Sequence, residues 1–171
     1  MLLLRMMLRA ARLEPGLYRE VMADISATSQ AILVVILMVL GTVLGTLRPN
    51  IVVDLLAFLV IMVGLWLLWT WLAYLLGTTL FRTPATNAGW GRMFRASGFA
   101  QAPGALRVVL VVPLTIYPPL GQVMFLAITA WQLAAMVVAV RETMGYESTA
   151  RAAAVVLGAI APFVVIVVGL T

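Results

Sequence analysis

Few residues in this sequence could bind a charge or move a proton, and two of them, Arg107 and Asp54, lie inside apolar stretches. A guanidinium at the bilayer centre costs at least about 2.5–3.5 kcal/mol, so Arg107 marks an ion or substrate path, a pairing with Glu142 or a wet pocket, unless its stem snorkels to the headgroups. A span beginning at Pro103 puts it one turn in, which favours snorkelling. Asp54 lies one turn into an apolar block, close to Arg48, as a proton or cation site or as an interfacial carboxylate; its shallow position favours the latter. Gln101, Pro103 and Gly104 break the helical pattern before Arg107, and broken helices can bare backbone groups to ions. A bend between an interfacial helix and a span accounts for the same residues, and the second half of the chain has no matching break. Arg141 and Glu142, at the end of a later block, read as a helix-end anchor. Cysteine and histidine are absent and no two carboxylates sit close together, which excludes thiolate, imidazole and the usual zinc chemistry. The expectation is therefore a non-enzyme, with no catalytic residue, cofactor or metal.

The elements that position these residues belong to a membrane. The 171 residues are 64% hydrophobic and 10% charged, far from the roughly 25% charged residues of a soluble domain, and mean hydropathy is +1.14. Apolar blocks divide the chain into a cytoplasmic or interfacial segment, 1–29, and a membrane domain, 30–171. Spans are expected near 30–47, 51–76, 103–117, 122–140 and 152–170. Turns fall at Arg48-Pro49-Asn50 and Pro118-Pro119-Leu120-Gly121, with a longer loop from Gly77 to Arg92. The third block is short: about 13 residues of helix reach only about 20 Å, so it starts near Pro103 and thins the bilayer, or it includes the helix before the break. The fold class expected is an all-α polytopic bundle of five transmembrane helices.

All eleven basic residues are Arg. With the N-terminus inside, Arg48 alone falls on the outer side and the other loop and terminal Arg residues fall inside, so the positive-inside rule sets the orientation and supports an odd number of spans. In Met1–Leu13 the residues Arg5, Arg9 and Arg12 share one helical face among Leu and Met, as in an amphipathic helix lying on the membrane. Signal and transit peptides are the rival readings, but Arg5 and Arg9 interrupt any apolar signal core. This basic fringe points to an anionic inner leaflet rather than to nucleic acid.

Gly41 and Gly45 form a GxxxG in the first span, and Ala154 and Gly158 repeat small-xxx-small spacing in the last. Such faces permit close helix contact within the chain or between copies. Trp66, Trp69, Trp71 and Tyr74 read as packing and belt aromatics.

Leu13-Glu14-Pro15-Gly16-Leu17-Tyr18-Arg19-Glu20-Val21, the phrase from Arg95 to Gly104, and Trp131 with Ala139-Val140-Arg141-Glu142 resemble the Yip1 domain family in its bacterial form. The resemblance runs from about Leu13 to the C-terminus. It implies five spans, a cytoplasmic N-terminus and a C-terminus across the membrane, here the bacterial cytoplasmic membrane. Eukaryotic relatives serve vesicle traffic with small GTPases through a long N-terminal region that this chain lacks, so that binding is not carried over. The expected role is a scaffold or accessory subunit that binds other membrane proteins or itself, or organises lipid. The alternative is a small transporter or channel using the broken third span and Arg107.

Overall fold

A computed structural model describes residues 2–46 and 51–169, with side chains described except at 46, 51–54 and 163–169. The helices are α1 (Leu2–Ala11), α2 (Pro15–Ala23), α3 (Ala27–Thr46), α4 (Ile51–Thr78), α5 (Trp90–Phe99), α6 (Val111–Ile116), α7 (Pro118–Met144) and α8 (Thr149–Gly169). A nine-residue 3-10 segment, Ala102–Leu110, joins α5 to α6. Among the described residues, four stretches are long and apolar enough to cross a membrane: Ala27–Gly45, Leu55–Thr78, Trp90–Ile116 and Pro118–Met144. A shorter apolar helix follows at Thr149–Pro162, within α8.

For the third block the start at Pro103 gives way to the other expected form, which includes the helix before the break. The candidate crossing begins at Trp90, because α5, the 3-10 segment and α6 run on as one 27-residue path. Length explains this. The tighter coil rises about 2.0 Å per residue against 1.5 Å in an α-helix, and α5 contributes the first turns. The Pro118-Pro119 turn is likewise corrected: both prolines occupy the first positions of α7, where a missing N–H leaves no helical bond unmade. The Arg48-Pro49-Asn50 turn lies outside the described residues.

The core forms where α3 packs along α5 and the 3-10 segment, with α7 on the other side; α4 packs against α3 and α5, and α8 against α4 and α7. Glycines set the separation. A Cβ on Gly41 would sit 2.5 Å from the carbonyl oxygen of Ala105, and one on Gly45 would overlap that of Arg107. On α5, a Cβ at Gly98 would lie 2.7 Å from the Ala31 side chain. The Gly41/Gly45 pair thus serves a contact within the chain, between α3 and the 3-10 backbone of the third crossing.

Helix α1 rests on this core through Met6 and Ala10, with Leu3 and Met7 partly covered. Trp131 Nε1 donates to the Ala11 carbonyl at 2.7 Å, and Arg9 pairs with Glu14 at 3.0 Å and Glu20 at 2.8 Å. Those bonds, Glu20 first, hold the Arg9 guanidinium above its ordinary pKa. Leu2, Leu4, Arg5 and Leu8 stay exposed, so the helix has one face on the bundle and a second apolar edge free. The Asp24 carboxylate accepts from Ser26 N and Oγ, both at 2.8 Å, and closes the turn that launches α3; these bonds lower its pKa.

A candidate polar site inside the bundle

The break at Gln101 follows from local chemistry. Proline at 103 cannot donate, so the regular ladder ends near it, and Gly104 N–H closes a tight turn onto the Gln101 carbonyl at 2.9 Å. Gly104 is confined on its other side. A Cβ there would stand 2.6 Å from Met38 Cγ, 2.9 Å from Gln132 Oε1 and 3.0 Å from Arg107 Nη1. The turn points Gln101 and Arg107 toward α7, from which Thr129 and Gln132 face back.

A chain of hydrogen bonds results. Arg107 Nη2 donates to Gln132 Oε1 at 2.7 Å and to Thr129 Oγ1 at 3.1 Å, and its guanidinium lies 5.1 Å from the Phe125 ring centre. Gln132 Nε2 donates to Gln101 Oε1, and Gln101 Nε2 donates to the Ser97 carbonyl at 3.3 Å. Ser97 Oγ lies 3.0 Å from Thr70 Oγ1 and 3.1 Å from the Phe94 carbonyl, while Thr70 donates to the Trp66 carbonyl at 2.8 Å. Donor logic fixes the polarity. Arginine has no acceptor, so Gln132 turns its oxygen to Arg107 and its amide to Gln101, which must then present oxygen. All the polar side chains from Thr70 to Gln132 along this path are buried except the half-buried Thr129.

Arg107 is therefore neither snorkelling nor paired with Glu142. It is 7% exposed, bonded to neutral acceptors, and its Nε has no partner among the described residues. Glu142 is engaged elsewhere: Oε2 accepts from Arg19 Nε at 2.7 Å and Oε1 from Arg141 Nη2 at 3.0 Å. Arg141 Nη1 also reaches Thr149 Oγ1 at 3.2 Å, so Arg141 and Glu142 tie the ends of α2, α7 and α8 together. Pro103 and Gly104 frame the turn, and Gln101 sits at the middle of the chain. The side chain of Asp54 lies outside the described residues. Gly158 faces Leu76, whose Cδ1 would lie 3.2 Å from an added Cβ, and Ala154 is half-buried one turn earlier.

Several participants escaped the sequence reading. Thr129 and Gln132, three residues apart on α7, were a polar notch in an apolar block, a visible signal that was not used. Ser97 and Thr70 carried none, since small hydroxyls are common in spans and bond their own helix. Arg95 reads in the sequence as an inner-side charge and the first residue of the family-like phrase, with no signal of a bonded role. It is buried, and its Nε and Nη2 donate to the carbonyls of Val21 at 2.8 Å and Met22 at 2.6 Å, which the end of α2 leaves without helical partners. Among the described residues, no group of three or more His, Cys, Asp and Glu could hold a metal ion.

Apolar crossing helices, a third crossing interrupted by a 3-10 segment and a bonded polar chain at that interruption define a polytopic helical membrane protein. The family profile for the Yip1 domain matches residues 5–170, nearly the whole chain, and the protein belongs to the Yip1 domain family. Comparison with curated proteins and with solved structures finds no match.

Proposed function

We propose that the protein is a non-enzymatic scaffold or accessory subunit of a bacterial cytoplasmic membrane that binds other membrane proteins or organises lipid. In this reading α8 is a fifth span, the N-terminus is cytoplasmic and α1 lies at the inner surface. Arg19, Arg92, Arg95, Arg141 and Arg151 gather at the end of the bundle where α2 meets the close of α7, which supports that orientation. The observation that carries the functional reading is that the polar side chains of the core bond to one another. Arg107, Gln132, Gln101, Ser97 and Thr70 are joined one to the next by hydrogen bonds that brace the interrupted backbone, with Arg107 Nε left over. Apolar surface for other molecules is exposed on several helices, and the outside of α4 offers a long run of it. There Leu56, Val60, Leu68, Trp71 and Leu75 make an apolar stripe interrupted by Gly64, whose missing side chain leaves open space.

The rival reading, a small transporter or channel, draws on the same polar chain and on the broken third crossing. Two measurements separate them. A photocrosslinking residue at position 64, in native membranes, should give a discrete adduct with one partner or with a second copy, and no adduct counts against the scaffold. Liposome flux that disappears in a folded Arg107→Met variant would establish the transporter instead.

A further inference from the structure

Where α2, the 79–89 loop, α5 and the end of α7 meet, a cavity of about 490 Å³ opens, and Arg19, Arg92 and Arg95 all line it. We infer that this cavity is a binding site for a phosphate group. It lies apart from the polar chain of the core, and the inference does not depend on the scaffold reading.

Arg95 is the built part of the site. Two of its nitrogens are held by the Val21 and Met22 carbonyls, so the guanidinium cannot swing away, and Nη1 makes no hydrogen bond among the described residues. Burial of the side chain fixes its plane, and a pre-set fork loses little freedom when an oxyanion arrives. Arg92 comes from one helical turn earlier on α5. Its Nη1 donates to the Asn87 carbonyl at 3.1 Å, which steadies an otherwise exposed side chain beside the cavity. Arg19 enters from α2 and is held by its Nε bond to Glu142.

The charge balance selects an anion. Glu142 is the one carboxylate on the cavity wall, and both its oxygens already accept from Arg19 and Arg141. Nearby Asp24 is bonded to Ser26. Three guanidiniums from two elements suit an anion with several oxygens and up to two charges, which describes phosphate better than a single carboxylate. The volume leaves room for whatever the phosphate is attached to. Met22 and Ile25 also line the cavity, and Ile25 is 79% exposed, an apolar lip beside a cationic pocket. The phosphate has two possible sources, a membrane lipid headgroup or a soluble phosphate compound.

The test uses the purified full chain in dodecyl maltoside, titrated with dioctanoyl phosphatidic acid, with inorganic phosphate and with dioctanoylglycerol, which has the same acyl chains and no phosphate. Saturable binding of a phosphate-bearing probe is expected, about tenfold weaker in Arg92→Gln and about a hundredfold weaker in the Arg19→Gln/Arg92→Gln double variant. Arg82→Gln, an exposed charge that does not line the cavity, should bind as the parent does. Arg92 makes one hydrogen bond, to Asn87, so its replacement should leave the melting temperature almost unchanged, which separates lost binding from lost folding. Phosphatidic acid binding without inorganic phosphate binding identifies a lipid headgroup; comparable binding of both, with the same dependence on Arg92, identifies a soluble phosphate compound. The proposal is overturned if neither phosphate probe binds, if dioctanoylglycerol binds as tightly as phosphatidic acid, or if Arg92→Gln loses no more than Arg82→Gln.

Discussion

Replacing Gln132 by Leu should destabilise the protein more than replacing Arg107 itself. Gln132→Leu removes the 2.7 Å acceptor of a buried guanidinium and the donor to Gln101, leaving Arg107 with Thr129 at 3.1 Å. Hydrogen bonds between membrane helices average about 0.6 kcal/mol and reach about 1.7 kcal/mol. With the charged bond at the upper end and the amide bond at the mean, the loss is about 2 kcal/mol. Arg107→Met loses two bonds of similar total worth but also removes a buried charge, whose desolvation costs about 2.5–3.5 kcal/mol. The opposing terms leave that variant within about 1 kcal/mol of the parent. In the double variant the stranded charge no longer exists, so most of the Gln132→Leu loss returns and the coupling energy is about 2 kcal/mol. Reversible unfolding of all four proteins in mixed detergent and dodecyl sulfate micelles measures each term. Additive losses, or an Arg107→Met variant weaker than Gln132→Leu, would refute the claim that Gln132 is what makes this charge tolerable.

Gly45→Ala should lower stability by about 1–3 kcal/mol in the same assay, since its Cβ overlaps the Arg107 carbonyl, whereas Gly64→Ala, with nothing within 4 Å, should be neutral or slightly stabilising. Arg95→Met should uncap α2, seen as faster hydrogen exchange in Tyr18–Ala23 with little change in α7. The Tyr18 hydroxyl is fully buried 3.4 Å from the Ala10 carbonyl, and desolvation pushes its pKa up. The stability that the neutral phenol carries is complete below its unfolded pKa of about 10 and falls as pH rises beyond it, because the unfolded phenol ionises first. Melting between pH 9 and 11 should show that decline, and Tyr18→Phe should flatten it.

The membrane architecture was legible because composition alone identifies it. Blocks ending at Gly77 and Arg141, and a break at Ala102-Pro103-Gly104, needed only hydropathy and proline chemistry. Which of the two forms the third crossing takes was not legible, since Arg92 and Arg95 look like loop charges; the sequence cannot announce that two donors of Arg95 are satisfied by carbonyls 73 and 74 residues earlier. Arg107 stood out, but its partners did not. A guanidinium suggests a carboxylate, and Glu142 was the available one; one amide and one hydroxyl supply the answer only once α7 is packed against the break. The glycines on α3 were read as a packing face, while the identity of the packed surface, an exposed backbone rather than another regular helix, depends on the 3-10 coil.

The interrupted crossing also sets an order of assembly. Its backbone fits the notch of Gly41 and Gly45, which lies earlier in the chain, but the acceptors for Arg107 lie on a helix that is synthesised later. While the ribosome is still making α7, the third segment carries a charge with no acceptor and a backbone only half sheltered from lipid. It must wait at the surface or beside the insertion machinery until α7 arrives. A chain truncated at Tyr117 should therefore leave a cysteine at the exposed position 109, in a Val109→Cys variant that keeps Arg107, open to a water-soluble reagent, and one extended through Met144 should close it. The expected outcome is that insertion of the third segment is coupled to folding of the fourth.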